Sequence, residues 1–164
     1  MKIKKIIFIL IFVSCTSTEF TNQITINPEL TQNIIDLESD SNIEIDLSQT
    51  IIINYWASWC LECIQEHQLL IEISELNFLK NNIYAISFQD TKSKAIEFLE
   101  VYGKGNIKYG IDENSALAIN SGVFGVPETH ILKDGKIIKK FIGPLTFNDV
   151  EEILIIFSKQ ILNH

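Results

Sequence analysis

The chain has 164 residues, which suits one domain of ordinary size that can bury a core without disulfide cross-links. Its 13 basic side chains are all lysine and stand against 21 acidic ones, giving a formal net charge of −8. Arginine, the preferred side chain for phosphates and base edges, is absent, so the composition argues against nucleic-acid binding. Only three cysteines occur, which excludes a disulfide scaffold.

The first 15 residues have the composition of an export signal. Three lysines precede an apolar run over residues 6–13, which ends at Ser14 and Cys15. This end resembles a bacterial lipobox, in which Cys15 would become the lipidated first residue. A cleaved secretory signal and an uncleaved membrane anchor are the alternatives. All three place the following domain outside the cytoplasm, next to the membrane.

The polar segment that follows predicts a tether rather than a domain. Residues 16–33 lack a clear period and contain Pro28. We therefore place the folded domain at residues 34–164. Its first two segments, residues 34–37 and 43–47, flank an acidic stretch, and the second alternates apolar and acidic side chains, which predicts a β-hairpin with one wet face.

Two cysteines join a buried strand to a helix. Residues 50–54 form a β-branched run typical of a strand buried on both faces. A helix is then expected from Cys60 to about Asn77. A sulfur at its start lies beside unpaired N–H groups and the positive end of the helix dipole, which favour a thiolate. Cys63, one turn further, is placed to attack a disulfide formed at Cys60.

The remaining pattern predicts an α/β domain. A strand at residues 83–88 after the helix implies a right-handed parallel βαβ unit, and a second helix is predicted to start at Thr91. Asp134-Gly135 indicates a tight hairpin between two further strands. Thr146 and Asp149 form the pattern of an N-cap box before a final helix. A short strand at residues 107–110 and a short helix at residues 115–120 complete the prediction.

Two stretches resemble a known family. Residues 56–63, with tryptophan before the C-x-x-C pair, are similar to the active site of the thioredoxin superfamily, and Glu66-His67 narrows the similarity to its CcmG/DsbE group. Residues 122–129 resemble the cis-proline loop of that group. The resemblance implies a thioredoxin-like fold, with a central mixed β-sheet flanked by helices, an N-terminal β-hairpin and one helical insertion.

The resemblance also implies roles for the loop residues. Pro127 would be the cis-proline opposite the cysteines, and the backbone of Val126 would pair with a bound substrate peptide. Glu128 is interpreted as a partly buried acid that shuttles protons to the thiols, with an exposed strand-start acid as the alternative. Trp59 is expected to form part of an exposed apolar surface beside the nucleophile Cys60, and Trp56 is expected to lie in the core.

Two non-catalytic roles stay open for the cysteine pair at this point. One is a structural disulfide, and the second is a zinc site built on Cys60, Cys63 and His67, although only His130 and His164 could complete it. Neither His67 nor His130 is assigned a catalytic role. Asn54 occupies the position, six before the nucleophile, where thioredoxins resemble one another in carrying a buried acid. Glu66 is expected to point toward water.

The function implied by the resemblance is that of a membrane-tethered, extracytoplasmic dithiol reductase. Its substrate would be apocytochrome c or a maturation partner, and a membrane thiol reductant of the CcdA/DsbD kind would restore its dithiol. It implies no cofactor and no metal. A general envelope reductase of the ResA/TlpA kind is the main alternative. A zinc-stabilised or adhesive lipoprotein without enzymatic activity requires inert cysteines.

Overall fold

The computed structural model describes residues 24–161, which form one six-stranded mixed sheet with helices on both faces. The strand order is β1-β4-β3-β2-β5-β6. The strands are β1 (Ile35–Asp36), β2 (Ile51–Trp56), β3 (Ile83–Ser87), β4 (Lys108–Ile111), β5 (Glu128–Lys133) and β6 (Lys136–Ile142), and the helices are α1 (Pro28–Thr31), α2 (Leu61–Ser74), α3 (Lys92–Tyr102), α4 (Ala116–Asn120) and α5 (Phe147–Ile161).

The central strand β2 carries the site at its carboxyl end. It runs parallel to β3 and antiparallel to β5, and all six of its residues are buried, as the β-branched run predicts. The parallel pairing of β2 and β3, with α2 between them in the chain, confirms the predicted βαβ unit, and β3 is in turn parallel to β4. The β5–β6 hairpin turns at Asp134 and Gly135, both with positive φ, as an Asp-Gly turn requires.

Alternate residues of β2 face two different cores. Ile52 packs with side chains of α2 and α5, and Trp56 packs with α3 and the two cysteines. On the other face, Ile53 and Tyr55 pack with α4 and the N-terminal segment. This alternation decides which side chains of the neighbouring strand β5 can approach α2.

The predicted helix starts are confirmed. The side chain of Thr91 accepts from the N–H of Lys94 and caps α3. Before α5, the carboxylate of Asp149 accepts from the N–H of Thr146, and the Thr146 hydroxyl accepts from the N–H of Asp149. This reciprocal pair is the N-cap box that the sequence predicts.

The predicted N-terminal hairpin is present but shorter than expected. The Asp36 N–H donates to the Ser41 carbonyl and the Ile43 N–H to the Ile34 carbonyl, both at 2.8 Å, while residues 44–47 form no strand. Ile43 and Ile45 are nevertheless buried and their acidic neighbours exposed, as the alternation indicates. The alternating pattern therefore predicted burial over the whole segment correctly, whereas the hairpin pairing ends at Ile43.

Part of the predicted tether also packs on the domain. The N–H of Ile137 donates to the carbonyl of Ile24 at 2.9 Å, and the Ile26 side chain lies in the core, followed by helix α1. Residues 1–23, which include the predicted signal and the rest of the tether, lie outside the described residues. Within residues 24–161, no helix combines the length and apolarity that crossing a bilayer would need.

Candidate active site

The cysteine pair lies where the sequence predicts it, at the start of α2. Cys60 is the N-cap residue, with extended backbone angles, and its Sγ accepts a hydrogen bond from the N–H of Cys63 at 3.1 Å. The two residues form a disulfide, with their Cα atoms 5.2 Å apart, and both are buried. On reduction, the same N–H would stabilise negative charge at Cys60, which supports Cys60 as the attacking thiol.

An apolar surface surrounds the pair. Trp59 is 59 % exposed and Leu61 65 % exposed, whereas Trp56 is buried, in agreement with the expectations for both tryptophans. The Trp59 indole N–H donates to the carbonyl of Gln89 at 3.1 Å, which fixes the ring. Asp90, which sequence reasoning missed, accepts from the N–H of Ser58 at 2.6 Å and holds the turn before Cys60.

The predicted proline loop lies beside the cysteines. The Val126–Pro127 peptide bond is cis, and the side chain of Val126 packs against the cluster that contains Cys60 and Cys63. Tyr55 pairs with Glu128 across β2 and β5, so the loop is next to the end of β2 from which Cys60 follows. Placement of the loop against the pair is therefore observed, while its contact with a substrate remains a prediction.

Glu128 is buried, but its carboxylate does not face α2. Its Oε1 is hydrogen-bonded to His130 Nε2 at 2.6 Å and lies 3.7 Å from the ammonium of Lys140. Glu128 shares its sheet face with Tyr55, whose ring meets His130 edge-on at 5.1 Å. This is the face covered by α4, opposite the face on which α2 carries Cys63. In this structure the Glu128 carboxylate is therefore not placed to exchange a proton directly with Cys63, as the predicted shuttle role would require.

Glu66 is the functional candidate that sequence reasoning missed, and the expectation that it points toward water is wrong. It lies one helical turn after Cys63 on the buried face of α2 and is 3 % exposed. Its Oε1 accepts from Asn54 Nδ2 at 2.8 Å, and its Oε2 accepts from the Leu145 N–H at 2.8 Å. Burial raises the pKa of Glu66 to about 7, against the effect of both hydrogen bonds.

Asn54 explains why this acid can be buried. A neutral amide at the centre of β2 offers a donor to the Glu66 carboxylate and another hydrogen bond to the Thr129 hydroxyl at 2.9 Å. Glu66 also lines an open groove of about 390 Å³ between α2 and the start of α5, which gives its proton a route to solvent. A sequence signal existed: residues three apart on a helix share a face, so Cys63 on the buried face implied Glu66 there as well.

The histidines do not support a zinc site. His67 Nε2 lies 2.9 Å from the Gly103 carbonyl and its ring meets Phe98 edge-on, while burial lowers the pKa of His67. In the part of the chain that the structure describes, no group of three or more metal-ligating side chains is close enough to hold an ion. His130 belongs to β5, as expected for a strand residue, and Cys15 lies outside the described residues.

Comparison with known proteins agrees with this geometry. The thiol:disulfide interchange protein CycY of Rhizobium leguminosarum bv. viciae is 39 % identical over 105 residues, 63 % of this chain and 55 % of the relative. The thiol:disulfide interchange protein DsbE of Allochromatium vinosum is 33 % identical over 103 residues, 62 % of this chain and 56 % of the relative. The chain thus spans about half the length of the curated relatives it matches.

Structural comparison supports the thioredoxin-like fold. The structure of MTB dsbF in its mixed oxidized and reduced forms matches with a TM-score of 0.67 at 17 % identity, over 81 % of this chain and 99 % of that one. At that identity the likeness concerns the fold alone. The family model described as Redoxin matches residues 26–154, which include both cysteines and the proline loop. The chain therefore belongs to the Redoxin family, within the thioredoxin superfamily.

Proposed function

We propose that the protein is an extracytoplasmic thiol:disulfide oxidoreductase that reduces the disulfide of apocytochrome c, or of a maturation partner, during cytochrome c biogenesis. The observation that carries this proposal is the Cys60–Cys63 pair at the start of α2, with the Cys63 N–H on the Cys60 sulfur and the loop of Val126 packed beside it. The substrate class comes from the resemblance to the CcmG/DsbE group.

The reaction balances as a two-electron exchange. The Cys60 thiolate attacks one sulfur of the substrate disulfide, which releases a substrate thiolate and leaves a mixed disulfide. Cys63 then loses its proton and attacks the Cys60 sulfur. The substrate leaves with two thiols, and the protein keeps the disulfide that the structure contains. A membrane thiol reductant of the CcdA/DsbD kind would return the two electrons and two protons.

The electrostatics of the pair favour reduction over oxidation of substrates. A disulfide is a strong oxidant when the thiolate of its reduced form is strongly stabilised, because that stabilisation favours reduction of the disulfide. Here Glu66 is buried one turn from Cys63, and Glu62 lies between the cysteines on the first turn of α2. Negative charge at either carboxylate raises the free energy of the thiolates, which favours the disulfide state as the product.

We place the protein at the outer face of a membrane, held by lipidated Cys15 or by an uncleaved N-terminal anchor. The chain enters the domain at Ile24, which pairs with Ile137 near the β5–β6 turn. That turn is at the end of the sheet away from Cys60, because β5 runs antiparallel to β2. A tether attached there leaves the cysteine pair facing away from the anchored end.

Two measurements test the proposal. A deletion strain is expected to lose covalent c-type haem and to recover it when an external thiol is added. In that strain, Cys63→Ser should accumulate mixed disulfides with envelope proteins, while Cys60→Ser should not, because only the helix-start thiol attacks. Normal c-type haem together with trapping of many unrelated proteins would favour a general envelope reductase of the ResA/TlpA kind. Equal trapping by both variants would contradict the assigned roles.

A further inference from the structure

A cluster of one glutamate, one histidine and one lysine joins the two ends of residues 122–127 in the proline loop; the glutamate and the histidine are buried and the lysine is partly exposed. The cluster consists of Glu128, His130 and Lys140, on the sheet face opposite α2. His130 and Lys140 are paired across β5 and β6, and Glu128 is two residues before His130, so all three side chains emerge on the same face. None of them takes part in the thiol exchange derived above.

Lys140 holds the first end of the loop. Its Nζ donates to the carbonyl of Ser121 at 2.6 Å and lies 3.5 Å from that of Gly122. These carbonyls end helix α4, where a lysine ammonium satisfies groups that have no partner within the helix. Gly122 has a φ of +74°, and a Cβ at that position would be 3.2 Å from the Lys140 Nζ, so the ammonium lies directly against the backbone.

The second end of the loop is held through Glu128. This residue follows Pro127, and its carboxylate lies 3.7 Å from the same Lys140 ammonium. His130, whose side chain is fully buried, is hydrogen-bonded through Nε2 to the same carboxylate oxygen, Oε1, at 2.6 Å. The carbonyl of Pro127 accepts from the Gly143 N–H at 2.9 Å, which ties this end to the end of β6 as well.

Only the tip of the loop between these ends makes few contacts, since Val123 is buried and Val126 packs against the core. Phe124 is 96 % exposed, and Gly125 is exposed with no heavy atom within 4 Å of its ideal Cβ position. The position of this exposed tip therefore depends on the packed residues at either side and on how the two ends are held. The Lys140 ammonium hydrogen-bonds the backbone at the first end and attracts the Glu128 carboxylate, 3.7 Å away, at the second. Both interactions are stronger in this partly buried site than in water, so one ammonium restrains both ends.

We propose that Lys140 is a positioning residue that clips the two ends of the proline loop, and thereby fixes the backbone on which a substrate peptide docks beside Cys60. This inference depends on the proposed docking role of Val126. It assigns Lys140 a part in peptide recognition and none in the electron transfer itself, since Lys140 contacts Ser121, Gly122 and Glu128 and neither cysteine.

The test compares a peptide disulfide with a small one. The reduced full-length protein is assayed with a synthetic peptide carrying a Cys-x-x-Cys-His disulfide, and with dithiobis(nitrobenzoate), which needs only an accessible thiolate. For Lys140→Met we expect KM for the peptide to rise by about tenfold, with kcat and the rate with the small disulfide changed less than about twofold. Lys140→Arg should restore most of the peptide KM, because it keeps the charge and the donors.

Lys139→Met is the matched control. Lys139 lies on the same strand and pairs with Glu152 on α5 at 2.7 Å, with an exposure close to that of Lys140, but it does not contact the loop. The control is expected to leave peptide KM unchanged. Glu128→Gln, which keeps a partner for His130 and removes the charge, is expected to raise peptide KM in the same direction as Lys140→Met.

The outcomes separate the two proposals. Equal losses with both disulfides in Lys140→Met, no change in peptide KM, or the same rise in Lys139→Met would each overturn the clip. If the wild-type protein reduces the peptide no faster than Cys60→Ser does, the proposed reductase function is refuted, and the proposed role of Lys140, which depends on it, is refuted as well.

Discussion

Replacing Glu66 by glutamine tests whether a buried carboxylate titrates near neutral pH beside the cysteines. Glu66 is 3 % exposed, and burial raises its pKa from 4.5 to about 7. At about 1.36 kcal/mol per pKa unit, that rise corresponds to about 3 kcal/mol of folding free energy. The sign follows from proton binding: between the unfolded and the folded pKa, the native state holds a proton that the unfolded state has lost.

The wild-type protein should therefore lose stability as the pH rises. The contribution of Glu66 is fully present below about pH 4.5 and is lost as the pH passes through about 7, where the buried carboxylate ionises. Glu66→Gln cannot ionise. We expect the free energy of unfolding of this variant, relative to wild type, to increase by about 3 kcal/mol between about pH 4.5 and 8.

Urea unfolding of the oxidised protein measures this difference. In that state Cys60 and Cys63 are joined as a disulfide and do not titrate, so the thiols contribute nothing. The remaining titrating groups are common to both proteins and cancel in the difference. Glu62→Gln, on the same helix but exposed, is the control and should show no such pH dependence. A difference between Glu66→Gln and wild type that stays flat over the same pH range would refute the raised pKa.

Three further predictions concern the thiols, the anchor and the fold. Glu66→Gln should lower the apparent pKa of the reduced thiols more than Glu128→Gln does, because only Glu66 shares a buried helix face with the resolving cysteine. Thiolate absorbance measured against pH gives the thiol pKa in both variants. A larger effect of Glu128→Gln would support the predicted proton-shuttle role of Glu128. Cys15→Ala should release the protein from membranes on fractionation, and full retention would exclude a lipid anchor at Cys15. Gly110→Ala should destabilise the domain by about 1–3 kcal/mol in urea unfolding, because a Cβ there would lie 2.5 Å from the Ile34 side chain and a well-packed core cannot absorb it; an unchanged midpoint would mean that the N-terminal segment can move aside.

Local signals were sufficient for most of the framework. The start of α2 at Cys60, the cap at Thr91 and the turn at Asp134-Gly135 were predicted because each depends on contacts within a few residues of chain. The burial of β2 followed from its β-branched run. The cis-proline loop came from resemblance rather than from these patterns, and the structure places it beside the cysteines.

Local sequence patterns did not predict backbone pairing that depends on a distant segment of the chain. Residues 43–47 alternate as a strand would, yet the pairing with the β1 segment ends at Ile43, and residues 44–47 form no strand. An alternating pattern reports which side chains are buried, and it does not report which backbone supplies the hydrogen bonds.

Sequence pattern predicted the reactive pair, a helix-start cysteine and a second cysteine one turn on, and the family resemblance predicted the thioredoxin-like frame that holds them. The charges around that pair follow from the tertiary structure alone. Glu66 is buried because Asn54 and Leu145, 12 and 79 positions away in the chain, offer its carboxylate two donors. Glu128 is turned from α2 because its strand register gives its side chain to the face of His130 and Lys140. A buried charge is stable only with its partners in place, and partners so distant in sequence leave no local pattern.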